Sequence, residues 1–327
     1  MLTTIELDAA QAGAIEQAAD LLRQGGLVAI PTETVYGLAA NACDDAAARK
    51  VFEAKQRPIG HPLIVHLADP DRVTQWAATA PRIARQLMDR YWPGPLTLLL
   101  PKRAGVSDLV TGGQPGVALR MPAHPVALAT IRAAGVELVA PSANPYGRIS
   151  PTTADHVARG LRGRIDAILD GGECSVGIES TILDLTGEQP AIARPGLIGQ
   201  AELEQVLGIP LLAQVPSQQA VPGNVKRHYQ PTTPTVGVAG KDFPKALQQL
   251  ASPAERLGAV WFQHAPPEST VAEAIQLGAD PEAYARMLYT ALHTLDQAGL
   301  TRILVELPPA TEPWRAINDR LSRACSQ

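Results

Sequence analysis

An alternation of short apolar runs and helix-like segments through residue 208 constrains the fold of this chain more than any other feature. Apolar runs of strand length beside turn-forming residues predict eight β-strands: Leu27–Ile30, Leu63–Leu67, Leu96–Leu100, Val117–Met121, Leu138–Ala140, Ile165–Asp170, Ser180–Leu185 and Ala191–Arg194. Helical periodicity predicts five helices: Ala10–Gln24, Asp45–Lys55, Pro81–Tyr91, Pro125–Ala134 and Thr153–Leu161. Several strands follow one another too closely for a crossover helix, so we expect an α/β domain with a mixed, twisted sheet and flanking helices.

The rest of the chain predicts a linker and a second, smaller domain. A length of 327 residues exceeds what one hydrophobic core usually holds. Residues 208–234 are rich in Pro, Gln, Ser and Thr without periodicity, which is typical of a linker. Strands and helices then alternate: Val236–Ala239, Phe243–Leu250, Gly258–Phe262, Tyr284–Ala298, Ile303–Glu306 and Trp314–Ala324. We therefore predict a first domain over 1–207, a linker over 208–234 and a small Rossmann-like α/β domain over 235–327.

Charge and cysteine content argue against several classes of protein. A net charge of −4 and a pI near 6 do not suit a chain whose main role is to grip a nucleic acid backbone, which requires clustered Lys and Arg. Cys43, Cys174 and Cys325 lie far apart and outside any C-x-x-C spacing, which speaks against a disulfide framework or a structural zinc site. The N-terminus has no signal-peptide pattern, and no segment has the ~18 apolar residues of a membrane span, so we expect a cytoplasmic protein.

The first predicted strand runs directly into a polar segment, PTETVYGL, at residues 31–38. A proline ends the strand, three polar side chains follow, and a glycine permits close backbone approach. The pattern is typical of a ligand-binding loop, and a generic capped turn shares it. The sequence has no Walker loop, G-x-G-x-x-G, H-E-x-x-H or G-x-S-x-G motif, so a nucleotide would bind by another route.

Four basic side chains follow within twelve residues of one another. Lys55 ends the second predicted helix, Arg57 and His61 lie just beyond it, and His66 lies in the next strand on the face opposite its apolar neighbours. Such a set suits a clamp for a polyphosphate. Cations at a helix C-terminus also complement the helix dipole, so both interpretations stay open at this point.

Arg120 lies inside the apolar strand 117–121. A buried arginine requires an anionic partner, either an internal carboxylate or a bound one such as that of an amino acid. The strand at 138–140 then leads into Ser142 and Asn144, and Ser150 follows in a second hydroxyl-rich segment. Hydroxyl and amide groups after strand ends suit phosphate and ribose recognition, although they also cap helices.

Seven motifs occur in order over residues 27–196: PTETVYGL, KQRPIGHPLIVHL, YWPGPLTLLL, RMP, APSAN, GIESTILDL and ARPG. Together they resemble the YrdC-like family of threonylcarbamoyl-AMP synthases, and PGNVKRHYQP with the C-terminal region resembles the long, two-domain form of that enzyme. The resemblance implies a YrdC-like catalytic domain over 1–207 and a linker that folds over the ligand. It also implies a nucleotidyltransferase that makes L-threonylcarbamoyl-AMP from L-threonine, bicarbonate and ATP with release of pyrophosphate, for threonylcarbamoyladenosine modification of tRNA next to the anticodon.

The resemblance further implies which residues form the site. The family's Lys-x-Arg and Ser-x-Asn signature falls on Lys55, Arg57, Ser142 and Asn144, with Lys55 and Arg57 as the catalytic pair. The implied threonine site comprises Thr34, His66, Arg120, Ala140 and Ser180. The implied nucleotide site comprises Lys55, Arg57, His61, Ser142, Asn144, Ser150, Arg194 and Tyr229, with Lys226, Arg227 and His228 of the linker beside Tyr229. Mg²⁺ would accompany ATP on its phosphates, without a protein-held metal cage.

Two other functions compete with this interpretation. YrdC-like domains have a concave surface that suits double-stranded RNA, but the acidic charge balance leaves room only for a weak RNA contact. Carbamoyl transfer within a hydrogenase-maturation protein is disfavoured, because the zinc-finger and acylphosphatase-like segments of such proteins are missing. The expected partner is instead the tRNA threonylcarbamoyl transferase complex that consumes the product, and no membrane contact is expected.

Overall fold

A computed structural model of the chain describes residues 2–212, 221–223 and 228–325. They divide into two compact units. The first comprises Met1–Tyr146, Pro151–Ser175 and Glu179–Asn224, and the second comprises Gly147–Ser150, Val176–Ile178 and Val225–Gln327. The predicted boundaries differ from this division, because the loops 147–150 and 176–178 belong to the second unit. Parts of the predicted linker, with Lys226 and Arg227, lie outside the described residues.

In the described part of the first unit, one large sheet contains ten strands in the order β1-β8-β2-β3-β7-β4-β6-β5-β9-β10. Their bounds are β1 Ile5–Asp8, β2 Val28–Ile30, β3 Gly37–Asn41, β4 Ile64–His66, β5 Leu96–Pro101, β6 Gly116–Arg120, β7 Leu138–Val139, β8 Ala167–Asp170, β9 Thr181–Asp184 and β10 Ala191–Arg194. The sheet contains both parallel pairs, such as β4 with β6, and antiparallel pairs, such as β2 with β3. The mixed sheet that the sequence predicts is therefore confirmed.

Helices cover both faces of this sheet. Their bounds are α1 Ala14–Arg23, α2 Asp45–Lys55, α3 Val73–Trp76, α4 Arg82–Tyr91, α5 Asp108–Thr111, α6 Pro125–Ala134, α7 Ala154–Leu161 and α8 Gln200–Leu207. One core cluster joins α1 and α6 to one sheet face, and includes Leu22, Val28 and Ile131. Another joins α2 and α4 to the opposite face, and includes Val51 and Leu87. Successive side chains of a strand thus enter different clusters, as the period of two requires.

Helix α2 brings two predicted site residues to the end of the sheet. The side chain of Asp44 caps its N-terminus by accepting from the backbone N–H groups of Ala46 and Ala47. The helix ends after Lys55, because Gln56 adopts a left-handed conformation with φ of 55°. Lys55 therefore lies in the last turn of α2, and Arg57 lies just beyond the end of the helix.

The second unit contains a four-stranded, wholly parallel sheet in the order β11-β14-β12-β13. Its strands and helices are β11 Thr235–Ala239, α9 Phe243–Leu250, β12 Leu257–Trp261, β13 Glu273–Gln276, α10 Pro281–Asp296, β14 Arg302–Leu307 and α11 Arg315–Ala324. This is the small Rossmann-like α/β arrangement that the sequence predicts. Helix α10 begins earlier than expected, because Asp280 caps it and Pro281 occupies its first turn.

Several individual elements of the first unit differ from the predictions. Strand β1 and helix α8 were not predicted, and neither was β3, whose GLAAN sequence is poor in strand-forming residues. Neighbouring strands pair with β3 on both sides, so tertiary context overrides its low propensity. Helix α1 begins at Ala14 and not at Ala10, since Gly13 has a left-handed φ of 86°.

Candidate active site

The loop after β2 contributes a buried ion pair to the first unit. Thr32, Glu33 and Thr34 follow the strand, and all three are buried. Glu33 Oε1 accepts a hydrogen bond from Arg120 Nη2 at 2.6 Å, and Glu33 Oε2 accepts one from the backbone N–H of Ala123 at 3.0 Å. The internal carboxylate that a buried Arg120 requires is therefore Glu33, inside the predicted ligand loop.

The guanidinium group of Arg120 has further hydrogen bonds but is not saturated. Its Nε donates to Gly94 O at 3.2 Å, and its Nη1 donates to Thr34 Oγ1 at 2.9 Å. With the bond to Glu33, three of the five N–H groups of a guanidinium are used. In the part of the chain that the structure describes, Arg120 can therefore still offer two N–H groups to a second anion.

His66 lies next to Arg120 in the sheet, because the two residues are register partners of the parallel strands β4 and β6. Burial, and secondarily the charge of Arg120, lowers the pKa of His66 to about 3. The imidazole is therefore neutral at physiological pH. Its Nδ1 lies 3.2 Å from Ile64 O, and since a carbonyl only accepts, Nδ1 carries the proton. The Nε2 lone pair is then available to accept a hydrogen bond.

Lys55 joins the two halves of the Lys-x-Arg and Ser-x-Asn signature. Its buried ammonium donates to Ser142 O and, at 2.6 Å, to Asn144 O. Burial first, and the charge of Arg57 second, lower the pKa of Lys55 well below its usual range, and the charge of Glu179 opposes that shift. A negatively charged ligand here would favour the charged form of Lys55.

Arg57 and His61 lie on the segment that follows Lys55. Arg57 Nη2 donates to Pro62 O at 3.0 Å, and its guanidinium carbon lies 5.9 Å from the ring centroid of Phe52. The half-buried ring of His61 contacts Tyr146 edge-to-face, with 5.6 Å between the centroids. Burial, followed by the charge of Arg57, lowers the pKa of His61. Lys55, Arg57 and His61 thus lie close together along the chain, and burial lowers the pKa of both Lys55 and His61.

Ser180, which directly precedes β9, and Arg194, the last residue of β10, form a second polar group. Arg194 Nη2 donates to Ser180 Oγ at 3.0 Å, and Arg194 also donates to Ser180 O through Nε and Nη2. Ser180 Oγ lies 2.8 Å from Thr97 Oγ1. Arg194 Nη1 donates to Pro222 O at 3.0 Å, and the neighbouring Val221 is buried. Residues of the predicted linker therefore contact Arg194.

Val221 packs in a small apolar cluster of the first unit. The other members of that cluster are Ile64, Leu99, Ala118, Ile182 and Ala193. Ile64 precedes His66 by two positions in β4, and Ala118 precedes Arg120 by two positions in β6. Because side chains two positions apart lie on one face of a strand, the linker segment lies on the sheet face that carries His66 and Arg120.

Ala140 is buried beside these residues. Its backbone N–H donates to Ile64 O at 3.2 Å. A Cβ atom added to Gly37 would lie 3.0 Å from Ala140 Cβ, so glycine at position 37 allows β3 to approach this segment closely.

Two residues of the predicted nucleotide site, Ser150 and Tyr229, belong to the second unit. Ser150 is buried, and its carbonyl oxygen lies 3.1 Å from His293 Nε2. Tyr229 is fully buried, with a positive φ of 62°. Its ring is stacked on Tyr289 with 5.7 Å between the centroids, and the Arg320 guanidinium lies 5.4 Å from its centroid.

Three residues with a role in this geometry were not among the predicted site residues. Glu33 is the partner of Arg120, Thr97 contacts Ser180, and the charge of Glu179 acts on Lys55. A signal existed for Glu33, because it is the acidic residue of the loop predicted to bind a ligand, and Arg120 required an anion. Thr97 could have been suspected as the single hydroxyl within the apolar run LTLLL.

The described residues, 2–212, 221–223 and 228–325, contain neither a metal-binding group nor a membrane-spanning helix. No three His, Cys, Asp or Glu side chains there form a group that could hold a metal ion. None of the helices in these ranges combines the length and the hydropathy that a membrane span needs.

Two family models match successive parts of the chain. The Sua5/YciO/YrdC model, described as "Telomere recombination", matches residues 20–196, and the "Threonylcarbamoyl-AMP synthase, C-terminal domain" model matches residues 198–326. The threonylcarbamoyl-AMP synthase of Pyrococcus abyssi is 39% identical over 321 residues, which cover 95% of this chain and 93% of that protein. Its namesake from Bacillus subtilis is 41% identical over 320 residues, which cover 95% and 92%.

A solved structure matches this chain along the residues of both units. The crystal structure of P. abyssi Sua5 complexed with L-threonine matches with a TM-score of 0.90 and 37% identity, covering 98% of this chain and 97% of that chain. The resemblance stated from the sequence motifs is confirmed by these matches. The chain therefore belongs to the threonylcarbamoyl-AMP synthase family, and it matches that family along both its N-terminal and its C-terminal regions.

Proposed function

We propose that this enzyme makes L-threonylcarbamoyl-AMP from L-threonine, bicarbonate and ATP and releases pyrophosphate. The relatives described above bear the name of this activity, and one was solved with L-threonine bound. The observation that carries the proposal is the contact of the buried Lys55 ammonium with the backbone carbonyls of Ser142 and Asn144, which joins three of the four signature residues. The charge of the fourth, Arg57, acts on Lys55.

The reaction would proceed in two bond-forming steps. The amine of threonine and bicarbonate first combine to a carbamate with loss of water. A carbamate oxygen then attacks the α-phosphorus of ATP, the bond from that phosphorus to the bridging oxygen breaks, and pyrophosphate leaves. Such a reaction needs oriented substrates and neutralised charge more than a nucleophile from the protein. The cationic and hydroxyl side chains of the site suit that requirement.

Threonine would bind through the buried polar residues around Arg120. The two remaining N–H groups of Arg120 suit its carboxylate, and the Nε2 lone pair of the neutral His66 suits a donor of the amino acid. Thr34, Ala140 and Ser180 would complete this part of the site. Arg120 already pairs with Glu33, so its affinity for a second carboxylate would be moderated by the first.

ATP would bind through basic side chains and through the segment that contains Ser142 and Asn144. Lys55 and Arg57 would contact the phosphates as the catalytic pair, and Arg194 would add a third cation. The remaining nucleotide-binding residues would be His61, Ser142, Asn144, Ser150 and Tyr229. Mg²⁺ would accompany ATP and neutralise part of its phosphate charge. Cations and hydroxyls, not a carboxylate cluster, form this group of side chains, so ATP itself would supply the ligands of the ion.

The product is a mixed anhydride, which water would hydrolyse, so the site needs a cover. The contacts of Val221 and Pro222 support the linker in this role. The product would pass to the transferase complex that forms threonylcarbamoyladenosine next to the tRNA anticodon, and we expect both reactions in the cytoplasm, where tRNA serves translation.

Pyrophosphate release tests the proposal by omission of one substrate at a time. It should require ATP, threonine and bicarbonate together, because the attacking group exists only as the adduct of the latter two. A Lys55→Met variant, similar in length but uncharged, serves as the control for contaminating ATPases and should be nearly inactive. Equal turnover without threonine, or equal turnover by the control variant, would contradict the proposal.

A further inference from the structure

Helix α10 contacts three segments of the second unit that flank predicted site residues. The first is the loop 147–150, which ends in Ser150. The second is the loop 176–178, which precedes Glu179 and Ser180 in the chain. The third is the end of the linker, which carries Tyr229.

His293, in the last turn of α10, holds the first segment. Its Nε2 lies 3.1 Å from Ser150 O. Since a carbonyl oxygen can only accept, Nε2 carries the proton and donates it to Ser150. Ser150 is fully buried, so this hydrogen bond fixes the backbone of a residue that water does not reach.

The second segment packs against the backbone of α10 itself. A Cβ atom added to Gly177 would lie 2.5 Å from both the Cα and the carbonyl oxygen of Arg286, and 2.7 Å from Ala285 O. Gly177 also has a left-handed φ of 83°. Two independent features therefore require glycine at position 177: its left-handed backbone conformation and its close approach to the helix.

The third segment stacks on the same helix through Tyr289, which contacts the ring of Tyr229. The next residue, Gln230, donates its backbone N–H to Gly147 O at 2.9 Å. The first and third segments are thus tied both to α10 and to each other.

We infer that α10 is a positioning element of the nucleotide site, acting through His293 on Ser150 and through Tyr289 on Tyr229. This inference rests on the proposed function, because Ser150 and Tyr229 are nucleotide-binding residues in that proposal. In this inference the C-terminal domain holds backbone segments of the ATP site in position. A contact that served stability alone would instead change folding without changing the affinity for ATP.

The hydrogen bond from His293 is tested with two variants of the full-length protein. His293→Phe keeps a ring but removes the donor, and His293→Gln keeps an N–H donor. We expect His293→Phe to raise the Kd for ATP, measured by calorimetry, about tenfold, as the loss of one buried hydrogen bond implies. His293→Gln should remain within about threefold of the unsubstituted protein.

The KM for threonine separates positioning from general damage. It should change less than about twofold in both variants, because Ser150, whose backbone accepts the hydrogen bond from His293, is not among the threonine residues of the proposal. An unchanged Kd for ATP in a folded His293→Phe variant would overturn the inference. Equal losses for ATP and threonine, or a His293→Gln variant as impaired as His293→Phe, would do the same.

Gly177 offers a second test with a matched control. Gly172 has a similar φ of 92°, but a Cβ atom there would meet nothing within 4 Å. Gly177→Ala and Gly172→Ala therefore share the conformational strain, and only the first displaces the backbone of α10. We expect Gly177→Ala to weaken ATP binding at least tenfold and Gly172→Ala to stay within about twofold. Equal effects would mean that strain, not the helix contact, is responsible.

The two proposals fail in different ways. If the unsubstituted protein binds ATP but makes no threonylcarbamoyl-AMP, the proposed function fails, and the Kd values for ATP still decide the role of α10. If threonylcarbamoyl-AMP forms at equal rates and ATP affinities in all four variants, the proposed function stands and α10 has no positioning role. Should Gly177→Ala fail to fold, the two His293 variants decide alone.

Discussion

Replacing Arg120 by alanine removes one partner of a buried ion pair and leaves the other behind. The side chains of Arg120 and Glu33 are only 4% and 8% exposed. In the Arg120→Ala variant, the Glu33 carboxylate keeps the N–H of Ala123 but loses its charged partner. An uncompensated buried charge typically costs about 3 to 5 kcal/mol of stability. The double variant Arg120→Ala, Glu33→Ala removes that charge, so it should recover about 2 kcal/mol of the loss.

The threonine requirement should behave differently from stability. If Arg120 binds the threonine carboxylate, both variants lose a charge-assisted contact worth about 2 to 4 kcal/mol, which corresponds to a KM for threonine raised about 30- to 800-fold. The KM for ATP should stay within about threefold in the double variant, because Arg120 has no role in the nucleotide site. Stability would therefore recover in the double variant while threonine binding would not.

Two measurements distinguish the two roles of Arg120. Urea unfolding followed by circular dichroism reports stability, and pyrophosphate release at varied threonine and ATP reports the two KM values. If the double variant recovers the threonine KM along with stability, Arg120 serves only as the partner of Glu33. Parallel rises of both KM values would lead to the same conclusion.

Two further predictions concern His66 and Gly196. The pKa of His66 is about 3 in the folded protein and near 6.5 when unfolded, so the unfolded state binds more protons between these values and stability falls as the pH drops through that window. Between pH 6.5 and 4.5 the unsubstituted protein should lose about 2 to 3 kcal/mol more than a His66→Gln variant in urea unfolding, and equal losses would contradict the assigned neutral state. A Cβ atom at Gly196 would lie 2.3 Å from Thr181 N, whereas one at Gly187 would meet only Gln189 O at 3.8 Å. Gly196→Ala should therefore destabilise by about 1 to 3 kcal/mol and Gly187→Ala by less than about 0.5 kcal/mol, and similar thermal midpoints for both would refute the close approach.

The sheet and most of its helices could be predicted because their signals are local. Helix α2 carries its own cap at Asp44, so its bounds follow from the sequence, and the apolar run around Leu98 marks β5. Strand β3 could not be recognised, since Gly37 and three further weak strand formers give no pattern of their own. Pairing on both sides with β2 and β7 makes it a strand, and that pairing is not visible in the local sequence.

The sequence proposes candidate site residues, but it does not indicate the partners that these residues have in the structure. The sequence indicated that Arg120 needs an anion, but only the turn after β2 brings Glu33 to it, and only the register of β4 and β6 pairs it with His66. Likewise, the motif order suggested Lys55 with Ser142 and Asn144, whereas their contact depends on how α2 ends. The inclusion of loops 147–150 and 176–178 in the second unit could not be predicted, because no periodicity signals which way a loop packs.

A mass spectrum of the reaction mixture tests the central claim most directly. The purified protein incubated with ATP, bicarbonate and isotopically labelled threonine should yield threonylcarbamoyl-AMP, or its cyclised breakdown product, with the label retained. Omission of bicarbonate should abolish that product. ATP turnover without a labelled adduct, or RNA binding that vanishes at moderate salt in a protein without ATP turnover, would contradict the account.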